Sequence, residues 1–460
     1  MLDNYKQSFL DRADKASSDI TGYQMTTESV ALYKDRQKQT YAHYANLELA
    51  RDRALYTRSK GIADIEAYLK DFELNFSKPN AKVLWAMNEE DAVSTILQIL
   101  QKHNAKKIIA SRSAVLNEIL LKEQLPQDIT FIETAFQEFV NQLVEDDDLD
   151  ILRTSHKDVA TRLSEKFQTI VEPHSKQLVQ FVSGKMRNHF FDADVVITGA
   201  NFLVSDVGGV ALSENEGNIS RACAFAKTHI VVAGCDKVIP SINDLETLWT
   251  LFASAGDGTL LTSYNSLIFG PRTSYEDDGP ENMYVIIINN GRDAVLEQKE
   301  QRKALYCIRC GACKRHCPVW RTIGEKTYQT PYTGPVGSVL MPLMKDMHTY
   351  RHLIYASTLS KKPAQHCPVK IPLHELIAYN RALFIKKRIS GNFSLWNIFM
   401  KYNAFFLGNR KIMDFLGSRQ KKHFLSFLLK KQWGNKRVLP NFAKKSFNEI
   451  YKIKQSQQDS

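Results

Sequence analysis

The chain has 460 residues, 43% hydrophobic and 24% charged, the balance of a folded globular protein of about three domains at roughly 150 residues each. No run reaches the ~18 consecutive apolar residues of a spanning helix, and the first ten residues lack the basic start and apolar core of a secretory signal. The net charge of +11 is uneven: from Lys386 to Ser460 there are 17 Lys and Arg against 3 Asp and Glu, so any electrostatic partner belongs to the tail.

In chain order, residues 1–60 are polar and predict an arm of one or two surface helices, or one that packs on a neighbour. From residue 61 the pattern alternates between strand and helix. Residues 82–87 are a short apolar run ending at Asn88, a suitable helix cap, and Glu89, Glu90 and Asp91 fill the first turn, where negative charge complements the helix dipole. Ala92, Val93, Ile96, Leu97 and Leu100 follow at helical spacing. Further strands are predicted at 107–111, 129–133, 195–198, 207–212, 229–233 and 284–289, with a helix at 114–121. Strands spaced by helices imply parallel pairing, hence an α/β domain over 61–295 with both sheet faces covered. Gly208-Gly209 lacks the spacing of a dinucleotide fingerprint, so NAD is not expected. A polar helix at 292–303 leads into a cysteine-bearing domain, 296–385. The tail, 386–460, is basic and aromatic, with Phe393, Trp396, Phe399, Tyr402, Phe405 and Phe406 close together.

The seven cysteines carry most of the information. Cys223 and Cys235 stand apart near apolar runs and read as buried thiols. An odd count without a signal peptide argues for a reducing, cytoplasmic setting rather than a disulfide framework. Cys307, Cys310, Cys313, Cys317 and Pro318 spell C-x2-C-x2-C-x3-C-P, a spacing that chance would produce at about four starts per million. A tight loop of this kind turns three thiolates toward one iron–sulfur cluster, and in two-cluster ferredoxins the fourth cysteine ligates the other cluster. A zinc knuckle is the alternative, but zinc ligands usually come as separated pairs. His316-Cys317-Pro318-Val319 recurs as His366-Cys367-Pro368-Val369, the mark of a duplicated unit. In the second copy Ser357, Ser360 and Pro363 stand where the other three cysteines would be. Crossed ligation therefore predicts one complete [4Fe–4S] cluster on Cys307, Cys310, Cys313 and Cys367. Cys317 becomes the orphan ligand of a degenerate second site. Local ligation by Cys317, with Cys367 merely buried, is the competing arrangement.

These features resemble the lactate utilization protein B family over nearly the whole chain. Residues 194–218 look like the most distinctive stretch of its LUD domain. Residues 306–317 and 367–375 resemble its cysteine segment, and Trp433-Gly434 and Pro440-Asn441-Phe442-Ala443 resemble its tail. The resemblance implies an α/β LUD domain of the CoA-transferase and sugar-phosphate-isomerase type. A mostly helical ferredoxin-type iron–sulfur domain and a basic helical tail would follow. It also implies a redox subunit, rather than a complete enzyme, of a cytoplasmic complex of sister subunits that oxidises L-lactate to pyruvate. Family members usually carry C-x2-C-x3-C-P in the second half and so two clusters; Ser360 and Pro363 break that pattern. A reading of a different class is a LUD-domain binder or enzyme in which the cluster is structural or sensory.

Other residues make weaker claims. No catalytic residue is assigned, but Glu216, in Glu214-Asn215-Glu216-Gly217-Asn218 after the run 207–212, is a candidate for ligand binding or as a nucleophile; the alternative is a turn in which Glu216 and Asn218 cap the next helix. Thr154-Ser155-His156-Lys157 reads as a helix start. His316 and His366 flank ligand cysteines and read as cluster surroundings, while Lys314 and Arg315 either offset cluster charge or form an exposed basic loop. The tail suits docking of sister subunits first and an anionic membrane surface second; nucleic acid is not expected.

Overall fold

Ten strands divide between two sheets in the computed structural model, which describes residues 2–389, scattered positions between 401 and 423, and residues 443–458. They are β1 (Ala81–Ala86), β2 (Lys107–Ala110), β3 (Thr130–Glu133), β4 (Val195–Thr198), β5 (Phe202–Val204), β6 (Gly209–Glu214), β7 (Thr228–Gly234), β8 (Val238–Ile239), β9 (Tyr264–Ile268) and β10 (Asn282–Ile288). The larger sheet has the order β1-β10-β7-β4-β2-β3 and every pair is parallel. Its central strands are buried on both faces, as a parallel sheet covered by helices requires. Ile230, Val232, Ile286 and Ile288 pack with Ile96 and Leu100 on one side. Val231, Ala233, Val285 and Ile287 pack with Phe72 and Phe76 on the other. Asn88 caps the helix Glu89–Lys102 as expected, its Oδ1 accepting the Asp91 N–H at 2.8 Å.

The smaller sheet, β8-β5-β6-β9, is mixed: β6 pairs antiparallel with both β5 and β9, and β5 pairs parallel with β8. The run 207–212, read from sequence as one more parallel strand, belongs here as β6. β5 and β8 have only three and two residues, too short for a periodicity to register. Two expected helices are also broken. The one at 114–121 splits into Ala114–Glu118 and Leu121–Gln124 at Leu120, which sits at φ 49°. The one at 292–303 is a short helix, Arg292–Leu296, followed by a 3-10 stretch, Gln301–Tyr306.

The arm forms three helices, Leu2–Ser18, Ile20–Tyr41 and Leu47–Ala63. Its hydrophobic pattern is weak because much of what it buries is polar: Gly22, Thr26, Val30, Tyr33, Gln37 and Thr40 share one face of the second helix. Tyr33 Oη donates to the Ala255 carbonyl at 2.6 Å, and Thr40 Oγ1 donates to that of Gly258 at 2.7 Å. The cysteine segment is helical among its described residues. Arm, second sheet and cysteine segment share one core that includes Phe9, Ala54, Phe202, Leu248, Ile308 and Val339. Residues Met1–Phe384 thus pack as one unit.

Ile385–Ser460 forms a second unit, whose described part contains the helix Phe447–Gln458. Phe393, Trp396, Phe399, Phe406, Trp433-Gly434 and Pro440-Asn441-Phe442 lie outside the described residues. No described helix is long and apolar enough to cross a membrane.

Candidate functional site

The loop 307–317 folds so that amide hydrogens face sulfur. Arg309 at φ 61° and Gly311 at φ 80° turn the chain back on itself, and the Arg309 N–H donates to Cys307 Sγ at 3.3 Å. The amides of Ala312 and Val336 bond the sulfurs of Cys310 and Cys313, and those of Val369 and Ile371 bond Cys367. Such bonds favour thiolate over thiol. Burial opposes them: it pushes the Cys313 thiol up to about 12 and Cys367 up to about 11, and neighbouring sulfurs add to both rises. Closely set, buried thiols that repel one another as anions form a donor set that bound iron would stabilise as thiolates.

Cys307, Cys310, Cys313 and Cys367 line one cavity. They frame a volume rather than a point, and among the described residues no three His, Cys, Asp or Glu side chains converge as a single metal ion needs. Cys317 is elsewhere. It lines a separate void of about 10 Å³ with Ser357, Ser360 and Pro363, room for barely one water.

The second half-motif keeps the backbone of the first without its ligands. Leu359 sits at φ 54°, as Arg309 does at 61°. The Leu359 N–H donates to Ser357 Oγ at 3.1 Å, where the Arg309 N–H meets Cys307 Sγ, and the Lys362 N–H donates to Ser360 Oγ at 3.3 Å. Short helices follow both loops, Ala312–Arg315 and Lys362–Gln365. The rings of His316 and His366 stack between the halves, centroids 3.6 Å apart and planes 13° from parallel. Burial and the adjacent His366 hold His316 down to about 3, so it is neutral at physiological pH.

Three arginines that sequence reasoning missed anchor these loops. Arg51 Nη2 donates to the carbonyls of Gln365 and Cys367, both at 2.8 Å. Arg58, fully buried, donates to the carbonyls of Val238 (2.8 Å), Leu305 (2.9 Å) and Tyr306 (3.1 Å), the last two just before Cys307. The two lie seven residues apart on one helix and so share a face, a signal open to a reader who looks for polar as well as apolar periodicity. Arg292 bonds Glu118 through Nη1 (2.8 Å) and Nη2 (2.9 Å), Asp236 through Nε (2.5 Å) and Tyr332 Oη at 3.0 Å. Burial would raise both carboxyls, but the Arg292 charge overrides it and holds Glu118 and Asp236 below the usual range. Close packing adds a further link: a Cβ on Gly256 would lie 2.9 Å from the Cys310 carbonyl oxygen.

The remaining sequence candidates divide. Glu216 lies outside the cavity lining; its carboxylate accepts the Phe136 N–H at 3.1 Å and Asn218 Nδ2 at 2.7 Å. Because β6 lies in the smaller, mixed sheet and pairs antiparallel with both neighbours, the strand-end argument does not apply to it. Glu214, two residues earlier at the end of β6, accepts the N–H groups of Ile219 (2.7 Å) and Ser220 (2.8 Å) at the next helix start. Ser155 caps the helix His156–Phe167 and His156 is exposed. Cys223 and Cys235 are buried, each pushed by burial up to about 12. Lys314 pairs with Glu325 at 2.8 Å and Arg315 with Asp257 at 3.5 Å, while both line the cysteine cavity.

Comparison with known proteins identifies two domains in the chain. Residues 69–288 match the LUD domain and residues 303–371 the 4Fe-4S dicluster domain. The chain is 34% identical over 360 residues to lactate utilization protein B of Bacillus subtilis, covering 77% of this chain and 75% of that one. It is 31% identical over 469 residues to lactate utilization protein B of Shouchella clausii, covering 98% and 97%. It is 34% identical over 422 residues to an Escherichia coli protein named uncharacterized electron transport protein YkgF, covering 89% and 88%. With a LUD domain followed by a 4Fe-4S domain, and this identity over most of its length, the chain belongs to the lactate utilization protein B family.

Proposed function

We propose that the chain is an iron–sulfur electron-transfer subunit of a cytoplasmic complex that oxidises L-lactate to pyruvate, and that it holds one [4Fe–4S] cluster on Cys307, Cys310, Cys313 and Cys367. The observation that carries the ligand set is the sorting of thiols: these four line one cavity, while Cys317 lines another with Ser357, Ser360 and Pro363. The names of the Bacillus subtilis and Shouchella clausii relatives support the lactate role, and that of the Escherichia coli relative supports electron transport.

The cluster, when bound, supplies reversible one-electron storage. The protein's part is position and potential. Amide N–H bonds to the sulfurs and the buried Arg309 charge both favour electron-rich thiolates, while Arg51 and Arg58 fix the loops that carry them. Oxidation of lactate to pyruvate releases two electrons and two protons, so a one-electron carrier must pass the pair in two steps to an acceptor. Sister subunits are the expected docking partners, with the basic tail as the surface that meets them.

Loss of the gene should prevent or markedly slow growth on L-lactate as sole carbon source and leave growth on glucose unchanged. Unimpaired growth on lactate, in a strain without a second copy, would remove the assignment.

A further inference from the structure

The cavity lined by the four cysteines is much larger than their loops. At about 890 Å³ it falls within the roughly 300–1,000 Å³ of small-molecule sites. It runs from the cysteines to the C-terminal ends of β2, β4 and β7, where Ser111, Ser113, Gly199, Asn201 and Gly234 line it. From β2 the chain passes to β3 on one side of the sheet, and from β4 its next strand in that sheet is β7 on the other. The crevice between β2 and β4 is thus the topological switch point, where open parallel sheets take ligands. The two strand exits touch: a Cβ on Gly199 would collide with the Ser113 hydroxyl.

The polar groups in this crevice are unspent. Among the described residues, the hydroxyls of Ser111 and Ser113, Nδ2 of Asn201 and Nζ of Lys237 make no hydrogen bond, although Asn201 Oδ1 accepts the Ser213 N–H at 2.9 Å. Lys237 follows Asp236 at the end of β7, and Asp236 is already bonded to Arg292 and 3.6 Å from Arg309. The Arg309 guanidinium is sealed over the Tyr332 ring, 4.1 Å from its centroid, with no hydrogen-bond partner for its nitrogens. It leaves a positive charge beneath the crevice that no carboxylate neutralises through a hydrogen bond. Cations therefore exceed carboxylates at this end of the cavity. The donors that line it are the Lys237 amine, whose hold on its proton burial and the nearby Arg309 weaken and a bound anion would restore, hydroxyls and an amide, rather than the glycine-rich nest of backbone amides that cradles phosphate.

We propose that this crevice binds a short-chain carboxylate, with Lys237 holding the anion and Ser111, Ser113 and Asn201 meeting the oxygen substituent beside it. Lysine at such a site acts as a point charge, and the neutral donors fix orientation. That the ligand is a 2-hydroxy or 2-oxo acid rests on the lactate-utilization reading; the anion site itself does not. Its position against the cysteine loops would place the bound acid beside the cluster.

The test is calorimetric titration of the anaerobically purified, cluster-loaded chain with pyruvate, L-lactate and inorganic phosphate, alongside the electron paramagnetic resonance spectrum of the reduced cluster. One of the two acids should bind with a stoichiometry of about one, perturb that spectrum, and resist displacement by equal phosphate. Losing the charge in Lys237→Gln should weaken binding about tenfold or more, with Lys237→Arg retaining most of it. Ser113→Ala should weaken it severalfold without touching the cysteine loop. Absence of binding at millimolar acid would overturn the proposal. So would unchanged affinity in Lys237→Gln and Ser113→Ala, equal binding of phosphate, or a Lys237→Gln effect confined to the cluster potential. A chain that binds neither acid yet is needed for growth on lactate would lose this site and keep its role; one that binds but is dispensable would do the reverse.

Discussion

Cys367→Ser should strip the chain of its cluster or leave a three-iron form, while Cys317→Ser should keep about four irons per chain. The two cysteines hold equivalent places in the duplicated motif, so residue type and local spacing treat them alike. Their surroundings differ. Cys367 shares a cavity with Cys307, Cys310 and Cys313, and accepts amides from Val369 and Ile371. Cys317 faces Ser357, Ser360 and Pro363 across a void of about 10 Å³. Proline offers no ligand, and a neutral hydroxyl is a poor substitute for thiolate on iron. Iron and sulfide analysis of both variants, purified without oxygen, reads the result. Cys317 essential and Cys367 dispensable would mean local ligation by the first motif.

A second large effect is expected far from any thiol. Arg292→Met leaves buried Glu118 without its cation and Asp236 with only the looser contact to Arg309 at 3.6 Å, and breaking a buried pair in this way costs about 3–5 kcal/mol. The pH dependence identifies the cause. In the native chain both carboxyls titrate below their unfolded values, so their contribution is complete above about pH 4 to 5 and is lost as pH falls through the lowered native values. In Arg292→Met most of that contribution is gone, and the gap between variant and native protein should be widest at neutral pH and narrow in acid. Denaturant unfolding of both proteins across that range measures it. A gap constant with pH would mean that packing, not the ion pair, is what Arg292 supplies. Because Arg292 joins Glu118 and Asp236 of the α/β layer to Tyr332 of the cysteine segment, lowered cluster retention should accompany the loss of stability.

Much of this was legible in the sequence, for reasons that differ by element. The parallel strands β4, β7 and β10 announce themselves because burial on both faces demands uninterrupted apolar runs, and the Asn88 cap follows from one side chain and its local amide. The family resemblance and the crossed pairing of Cys307, Cys310, Cys313 and Cys367 could be argued from motif spacing and one recurrence, His316-Cys317-Pro318-Val319 with His366-Cys367-Pro368-Val369. The second sheet could not, since β5 and β8 are too short for a pattern and depend on pairing with distant partners. The packing of the arm is hard to read because Gln37, Thr40 and Arg58 are buried polar groups, satisfied by carbonyls that are distant in sequence. The sequence points to a ligand site beside Glu216, which follows a strand of the other sheet. Only the order of strands identifies β2 and β4 as the switch point, and that order is a tertiary fact.

The most direct test of the central claim is the metal content of the unaltered chain, purified and reconstituted without oxygen, read together with its electron paramagnetic resonance spectrum after reduction. One site with four thiolates and one collapsed site predict about four irons and four sulfides per chain, and a single signal free of coupling to a second centre. About eight irons with a spectrum broadened by two interacting clusters would contradict it, and would mean that Ser357, Ser360 and Pro363 do not close the second site.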